Sequence, residues 1–305
     1  MNKPFTVDVV SPQFPCGAAW LANALLELQV PLNHLWSFET AQEWTVLRPD
    51  LWRYSAEHLP WRQTLASLQL GREFSFHGDL RPRFSHAFPW QVNVCQQVVL
   101  VVRDPRDALY SEWQRHRRNL ALADSVAFVD FLKRPFFGGP ISNVDILWLH
   151  LRTWLKYQYN QPARVYLLRF EDWKRDPVSS LDQVCQWMGL HASTTALEQA
   201  ASASDVSHLQ AVESTLLTGD PQAKQYNRAG LAGEWRTKWS TEWLAALGQH
   251  WQPVLNGLGY APLEQESAAN PCFELDEVLA WRNMHAGEAL EFWREHLALQ
   301  QCATV

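Results

Sequence analysis

The chain has 305 residues, of which 47% are hydrophobic and 19% are charged, and its formal net charge is −6. This composition is typical of a globular protein with a large core, and it excludes intrinsic disorder, a collagen-like repeat and a disulfide-rich miniprotein. Because a general nucleic-acid binder is usually basic, we expect no nucleic-acid partner, and any anion site must be built from local cations.

The five cysteines are widely spaced and form no C-x-x-C pair, which favours free thiols in a reducing compartment and predicts neither disulfides nor a metal site. The first residues, MNKPFTVDVV, carry Asp8 inside a short apolar run. Such a run predicts neither a signal peptide nor a membrane span. We therefore expect a cytoplasmic protein with no membrane partner.

Strand and helix patterns alternate along most of the chain. Four β-rich runs lie at residues 5–10, 72–77, 97–102 and 164–170. The third run is continuously apolar, which is typical of a parallel strand buried on both faces. Helical periodicity is found at residues 18–28, 105–119, 142–159, 177–188, 194–203 and 241–257. The alternation predicts a doubly wound α/β fold with a mainly parallel sheet flanked by helices and a ligand at the carboxyl ends of the strands.

Two segments depart from this alternation. Residues 215–239 are rich in glycine and have little periodicity, which predicts a long functional loop. Residues 270–301 have the pattern of two further helices. We therefore predict one α/β domain over residues 1–262 and a C-terminal helical extension over residues 263–305. The extension either packs on the same domain, where it could cap an acceptor pocket, or forms a homodimer contact.

The segment from Val98 to Asn119 carries the strongest functional signal. A buried strand ends at Arg103, and Asp104 followed by proline is a favourable start for a helix. The helix N-terminus and the guanidinium of Arg103 both favour an anion. Ser111 lies two turns further along the same helix face, so this pair predicts a phosphate site. A simple ion pair of Arg103 with Asp107 is the alternative.

The same stretch, R-D-P-R-D-A-L-Y-S, resembles the 3′-phosphate-binding motif of the sulfotransferases, which use 3′-phosphoadenosine 5′-phosphosulfate (PAPS) as sulfuryl donor. Residues 11–25, 166–177 and 228–239 resemble further family segments in order and spacing. The resemblance covers residues 5–262, up to the end of an LGYAP motif. It implies the P-loop-like sulfotransferase fold, a PAPS donor and the product adenosine 3′,5′-bisphosphate (PAP), with no metal.

The resemblance also implies which residues bind the donor. Arg103 and Ser111 would hold the 3′-phosphate. The late loop, residues 228–239, would close over the same group, and the first loop, within residues 11–25, would hold the 5′ end through backbone N–H groups. The implied donor-binding residues are Pro15, Cys16, Gly17, Ala18, Ala19, Trp20, Arg103, Ser111, Phe170, Arg228, Ala229 and Gly230.

The first loop departs from the family pattern. With Trp20 aligned to the family tryptophan, Pro15 replaces the family lysine; alternatively, the loop is one residue shorter and Phe14 with Pro15 replaces a Tyr-Pro pair. In both alignments the lysine that would stabilise the leaving phosphate is missing. Another cation must then assist, or the rate must be low. Arg236 and an arginine of residues 81–83 are the candidates.

The resemblance implies a histidine base at the end of the second strand. His77 ends the predicted strand, and the near-neutral pKa of histidine suits proton transfer from an acceptor hydroxyl or amine. Asp79 and His86 are the reserve candidates. Ser75 stands where the family often has a second lysine.

The acceptor is expected to be a small molecule, and a secondary metabolite in natural product biosynthesis is the preferred setting. Residues 30–62 and 125–150 are rich in aromatic side chains. We expect Trp36, Phe137 and Trp148 to line the acceptor pocket. The sequence leaves open whether the acceptor is a hydroxyl or an amine.

The predicted function is in-line sulfuryl transfer from PAPS with His77 as general base. A P-loop nucleotide kinase shares the parallel sheet, but the sequence lacks G-x-x-x-x-G-K-[ST]. The remaining alternative is a catalytically weak or inactive sulfotransferase-like protein that binds a nucleotide or metabolite, which the missing lysine and Ser75 favour.

Overall fold

A computed structural model of the chain describes residues 7–30, 34–35, 80, 82–89, 92, 97–119, 125–136, 141–216, 229–245 and 247–263. These residues form a five-stranded sheet with the strand order β2-β3-β1-β4-β5. The strands are β1 (Val7–Val10), β2 (His34–Leu35), β3 (Arg83–Ser85), β4 (Gln97–Val102) and β5 (Val165–Arg169). All four strand pairings are parallel, which confirms the predicted α/β class.

Strand β4 occupies the residues of the continuous apolar run. Val99 and Val101 belong to the main hydrophobic cluster, and Val98 and Leu100, which point to the opposite face, are also fully buried. The strand is therefore covered on both faces, as its sequence predicts.

The helices connect and flank the strands. They are α1 (Ala18–Glu27), α2 (Pro105–Asn119), α3 (Phe128–Lys133), α4 (Asn143–Asn160), α5 (Phe170–Arg175), α6 (Pro177–Trp187), α7 (Thr194–Ala203), α8 (Val206–Leu216), α9 (Trp235–Lys238), α10 (Thr241–Ala245) and α11 (Gln252–Leu258). Short 3₁₀ helices lie at Pro162–Arg164 and Gln249–Trp251. The predicted helices that begin at residues 18, 105, 142, 177 and 194 agree with these bounds to within one residue at either end. Helices α3, α5, α8 and α9 were not predicted from periodicity.

The single helix predicted over residues 241–257 is wrong. Helix α10 ends at Ala245, and the chain then turns at Gly248, whose φ is 74°. The 3₁₀ helix and α11 follow that turn. A residue with a φ of 74° and a ψ of 160° cannot continue an α-helix, so the apolar periodicity of this segment is divided between two short helices.

The chain divides into two compact units. The first contains the described residues of 1–87, 95–125 and 158–238, and the second contains those of 88–94, 126–157 and 239–305. In the first unit, α1, α6 and α7 bury their apolar sides in one cluster with the sheet. In the second, Phe128 packs against Trp239 and Trp243 with ring centroids 5.0 and 4.7 Å away.

Several predicted features lie outside the described residues. They include the strand at 72–77 and the helical extension over 263–305, apart from residue 263 itself. The domain boundary after residue 262 therefore stays a prediction. Within the described part of the chain, no helix is long and apolar enough to cross a membrane.

Candidate active site

The carboxyl ends of β1, β3, β4 and β5 lie at one edge of the sheet because the strands are parallel. The segments that follow them carry the first loop at residues 11–17, then His86, Arg103 and Phe170. All of these belong to the first compact unit. The sheet therefore brings together groups that are far apart in sequence.

The first loop ends in a close approach to Phe170, the first residue of α5. Gly17 has a φ of 91°, and a Cβ at this position would lie 2.7 Å from Cδ2 of Phe170. Helix α1 then begins with no side-chain cap and no acidic residue in its first turn. Its first N–H groups and the positive end of its dipole are therefore suited to an anion. Ala18 and Ala19 supply backbone donors there without adding a hydroxyl.

Cys16 lies in the same loop and is 2% exposed. Burial raises the pKa of its thiol to about 12, although the positive charge of Arg103 acts in the opposite direction. Because the thiolate is the reactive form of cysteine, Cys16 is not suited to act as a nucleophile at neutral pH. It serves as a small packing residue.

Arg103 is the central cation of the site and is only 4% exposed. Its Nη1 donates to the carbonyl of Pro15 at 3.1 Å, and its Nη2 donates to the carbonyl of Leu231 at 2.7 Å. Its guanidinium carbon lies 4.6 Å from the ring centroid of Phe170. The Nε–H is buried and has no hydrogen-bond partner among the described residues. A buried fork with an unused donor is the arrangement that an oxyanion would complete.

The carboxylate of Asp104, just before α2, is bound by Arg106, two residues further along the chain. Oδ1 of Asp104 accepts from the backbone N–H of Arg106 at 3.0 Å, so the expected N-cap is present. The guanidinium of Arg106 also binds this carboxylate through Nε and Nη2, at 2.8 and 2.7 Å. The backbone N–H of Asp104 donates to Glu171 at 3.0 Å. Asp104 is therefore paired with Arg106 and does not neutralise the charge of Arg103.

The alternative pairing of Arg103 with Asp107 is not what the structure contains. Asp107 is 1% exposed, and its carboxylate accepts from the backbone N–H groups of Gly233 at 2.6 Å and Trp235 at 2.8 Å. Burial raises the pKa of Asp107, while the nearby charge of Arg103 lowers it. The late loop is thus attached to the first turn of α2.

Aromatic side chains form a wall beside Arg103. The rings of Trp20 and Phe170 lie 5.0 Å apart, and Nζ of Lys174 lies 5.0 Å from the Trp20 centroid. Gly230 has a φ of 55°, and a Cβ there would lie 2.7 Å from Cη2 and Cζ2 of Trp20. The late loop therefore approaches this wall so closely that only glycine fits.

His86 directly follows β3 and is 7% exposed. Its Nδ1 lies 2.9 Å from the carbonyl oxygen of Ser11 and 3.5 Å from its Oγ. Because a carbonyl can only accept, a neutral ring in this position carries its proton on Nδ1 and has a lone pair on Nε2.

Comparison with known proteins assigns the chain to a family. The model of the sulfotransferase domain matches residues 53–259, which is more than half of the 305 residues. The chain belongs to the sulfotransferase family. Cytosolic sulfotransferase 3 of Arabidopsis thaliana is 21% identical over 154 residues, so the match spans 48% of this chain and about half the length of that relative, 49%.

Two solved structures share the fold. Retinol dehydratase in a complex with retinol and PAP aligns with a TM-score of 0.54 and 17% identity, over 89% of this chain and 84% of that one. Mouse sulfotransferase SULT7A1 complexed with PAP aligns with a TM-score of 0.54 and 16% identity, over 84% and 86% of the two chains. These likenesses confirm the predicted sulfotransferase fold.

Of the replacement cations considered for this sulfotransferase, Arg81 lies outside the described residues, and Arg83 and Arg236 make contacts elsewhere. Nε of Arg83 donates to Oδ1 of Asp8 at 2.5 Å, and these residues face each other across β1 and β3. Arg236 is exposed, and its guanidinium lies 4.8 Å from the centroid of Trp235. Arg103, in contrast, contacts the first loop directly at Pro15.

The remaining predicted site residues have mixed outcomes. Ser111 lies half-buried on α2, and Ala229 is half-buried beside Gly230. Trp148 is 2% exposed in the second unit, and its indole N–H donates to the carbonyl of His250 at 3.0 Å. That is the environment of a core residue, and a role in an acceptor pocket stays a prediction. The predicted residues outside the described part of the chain are Trp36, His77, Asp79, Phe137 and Arg228.

His77 ranked above His86 as candidate base because residues 72–77 have the alternation of a strand, whereas β3 has only three residues, too few for a period-two pattern. The sequence feature that could have indicated His86 as the candidate base is its position in the R-F-S-H stretch, shortly before β4. Across the described ranges, no cluster of three or more His, Cys, Asp or Glu side chains could hold a metal ion.

Proposed function

We propose that this sulfotransferase-family protein transfers a sulfuryl group from PAPS to a hydroxyl or amine of a small molecule and releases PAP. The observation that carries the proposal is the buried guanidinium of Arg103, with an unused Nε–H, placed between the first and late loops. The two similar structures that contain PAP support the same nucleotide.

The residues present fit such a donor. Arg103 and Ser111, with Arg228, Ala229 and Gly230 of the late loop, would hold the 3′-phosphate. The uncapped N-terminus of α1 would hold the 5′-phosphate through the N–H groups that follow Gly17. The close approaches at Gly17 and Gly230 leave no room for a side chain, which supports a site shaped by backbone.

PAPS supplies a sulfuryl group attached to a phosphate leaving group, and the protein supplies position, charge and a base. Sulfuryl transfer resembles loose phosphoryl transfer, in which little covalent chemistry is asked of the protein. The acceptor oxygen or nitrogen forms a bond to sulfur as the bond from sulfur to the phosphate oxygen breaks. The acceptor proton passes to the base, and cationic and N–H donors stabilise the phosphate that leaves.

We propose His86 as that base. It lies at the carboxyl edge of the sheet beside Ser11, where the first loop begins, and the Ser11 carbonyl favours the tautomer with a lone pair on Nε2. His77, the base predicted from sequence, lies outside the described residues, and the same experiment compares the two histidines.

The proposed setting is cytoplasmic natural product biosynthesis with a secondary metabolite as acceptor. The curated relative of A. thaliana that carries the word cytosolic in its name supports the compartment. A protein that binds PAP without turnover is the second candidate, and the replacement of the first-loop lysine favours it.

The decisive experiment is calorimetric binding of PAP, with AMP and ATP as controls, to wild type and to Arg103→Ala. We expect tight binding of PAP alone, and loss of that preference in the variant. A wild-type protein that binds AMP as tightly as PAP would contradict the proposal.

Turnover is then measured with PAPS and a panel of hydroxyl and amine acceptors. We expect His86→Ala to lower kcat by about 10²–10⁴-fold with PAP binding kept, and His77→Ala to have a smaller effect. The opposite ranking would return the base to His77. Tight PAP binding with no turnover of any acceptor would favour the non-catalytic candidate.

A further inference from the structure

We propose that Asp107 is a positioning residue that docks the late loop onto the start of α2 and thereby gives the nucleotide site its preference for a 3′-phosphate. This inference rests on the proposed function. It assigns a role to a carboxylate that the sequence analysis treated only as a partner for Arg103.

The carboxylate of Asp107 binds the late loop with both of its oxygens. Each oxygen of Asp107 accepts one backbone N–H, from Gly233 at 2.6 Å and from Trp235 at 2.8 Å. Trp235 is the first residue of α9, so Asp107 caps that short helix from another element, 128 residues away in sequence. Charge-assisted bonds of this kind are stronger than bonds between neutral groups.

The backbone of Gly233 and the ring of Trp235 both support this contact. Gly233 donates its N–H to Asp107 from a backbone with a φ of 76°, and a Cβ there would lie 2.6 Å from Nη1 of Arg236. The guanidinium carbon of Arg106 lies 3.6 Å from the centroid of the Trp235 ring. Arg106 and Asp107 of α2 therefore both contact the loop, Arg106 at Trp235 and Asp107 at Gly233 and Trp235.

The late loop is held at both Arg103 and Asp107, with only a short path between these two contacts. Gly230 packs against Trp20, and the next residue, Leu231, places its carbonyl on Arg103. Asp107 fixes the far end only two residues later, at Gly233. Arg103 and the late loop are thus held in one arrangement, so the donors on both sides of the proposed 3′-phosphate are positioned before the nucleotide binds.

The test compares Asp107→Asn with wild type by binding of PAP and of AMP. An amide at this position can accept one N–H but presents its NH₂ to the other. We expect PAP to bind about 10- to 100-fold more weakly, the loss expected for a charge-assisted bond of about 1.5–3 kcal/mol, with AMP affinity unchanged. A purely structural role would weaken both nucleotides equally. Asp130→Asn, an exposed change on α3, is the matched control and should alter neither.

A second readout does not depend on the nucleotide. Hydrogen exchange of a peptide covering residues 229–238 should be faster in Asp107→Asn than in wild type and in the Asp130→Asn control. If wild type shows no preference for PAP, the proposed function fails, and this readout still decides whether Asp107 holds the loop.

Gly233→Ala changes the loop side without touching α2. The added Cβ disturbs the left-handed conformation, so we expect the same loss of 3′-phosphate preference and the same faster exchange. This variant also replaces Asp107→Asn as the test if that protein fails to fold. Unchanged exchange and unchanged PAP preference in the folded variants would overturn the inference.

Discussion

Glu112 on α2 offers a test of the electrostatics that hold the phosphate-site helix in place. It follows Ser111 directly and is fully buried. Its carboxylate accepts from the guanidinium of Arg115, at 2.7 Å from Nε, and lies 3.1 Å from Nε2 of His116. Burial raises the pKa of Glu112, but these two partners outweigh burial and lower it from 4.5 to about 2.

The sign and size of the effect follow from that shift. A carboxyl whose pKa is lower in the folded state stabilises the fold above its unfolded pKa, and this contribution is lost as the pH falls towards the folded value. For Glu112 the window runs from the ordinary value of 4.5 down to about 2. The contribution near neutral pH is about 3 kcal/mol, since each pKa unit corresponds to about 1.4 kcal/mol.

The assay is urea unfolding of wild type and Glu112→Gln at pH values from 7 to 3.5. We expect the variant to be less stable by about 3 kcal/mol at pH 7, with a gap that narrows below pH 4.5. The comparison must be made between the two proteins, because burial raises the pKa of Asp8, Asp107 and Asp145 and their contributions run in the opposite direction. A gap that stays constant over this range would refute the reasoning.

Three further predictions concern the first loop and its cation. Gly17→Ala should lower the melting temperature and weaken PAP binding, because the new Cβ meets the ring of Phe170 at 2.7 Å in a left-handed backbone; an unchanged melting curve would argue against this close approach. The thiol of Cys16, with its pKa raised to about 12, should resist alkylation in the native protein and react after unfolding, as mapped by mass spectrometry; rapid native labelling would contradict its burial. Arg103→Lys should lose most of the preference for PAP over AMP, because the compact ammonium of lysine lacks the planar fork that reaches the carbonyls of Pro15 and Leu231 at once; retention of that preference in calorimetry would show that charge alone suffices.

The parts of the fold that were predicted correctly have strong local signals. The continuous apolar run of β4 and the Asp-Pro start of α2 each specify an element within a few residues, and their bounds agree with the structure. Because the motif at Arg103 combines a strand end with a helix start, the junction that we propose as the anion site could also be located from the sequence.

The parts that were missed depend on contacts that sequence spacing does not encode. The bonds from Asp107 to the late loop join residues more than 120 positions apart, so no local pattern announces them. Strand β3 is too short to show a period, and its pairing with β1 defines it instead. At Gly248 a local pattern is misleading: the apolar periodicity continues across this residue, but its backbone cannot continue a helix.

The replacement of the first-loop lysine is compensated, in our interpretation, by Arg103. A cation that assists the leaving phosphate must lie close to the N-terminus of α1. Arg83 is committed to the buried carboxylate of Asp8, whose second oxygen has no partner in the described part of the chain, so withdrawing Arg83 would leave a buried charge. Arg103 already contacts the first loop at Pro15 and is permanently charged. Among the described candidates, Arg103 is therefore the one whose guanidinium contacts the first loop, and we propose it as the cation that assists the leaving phosphate.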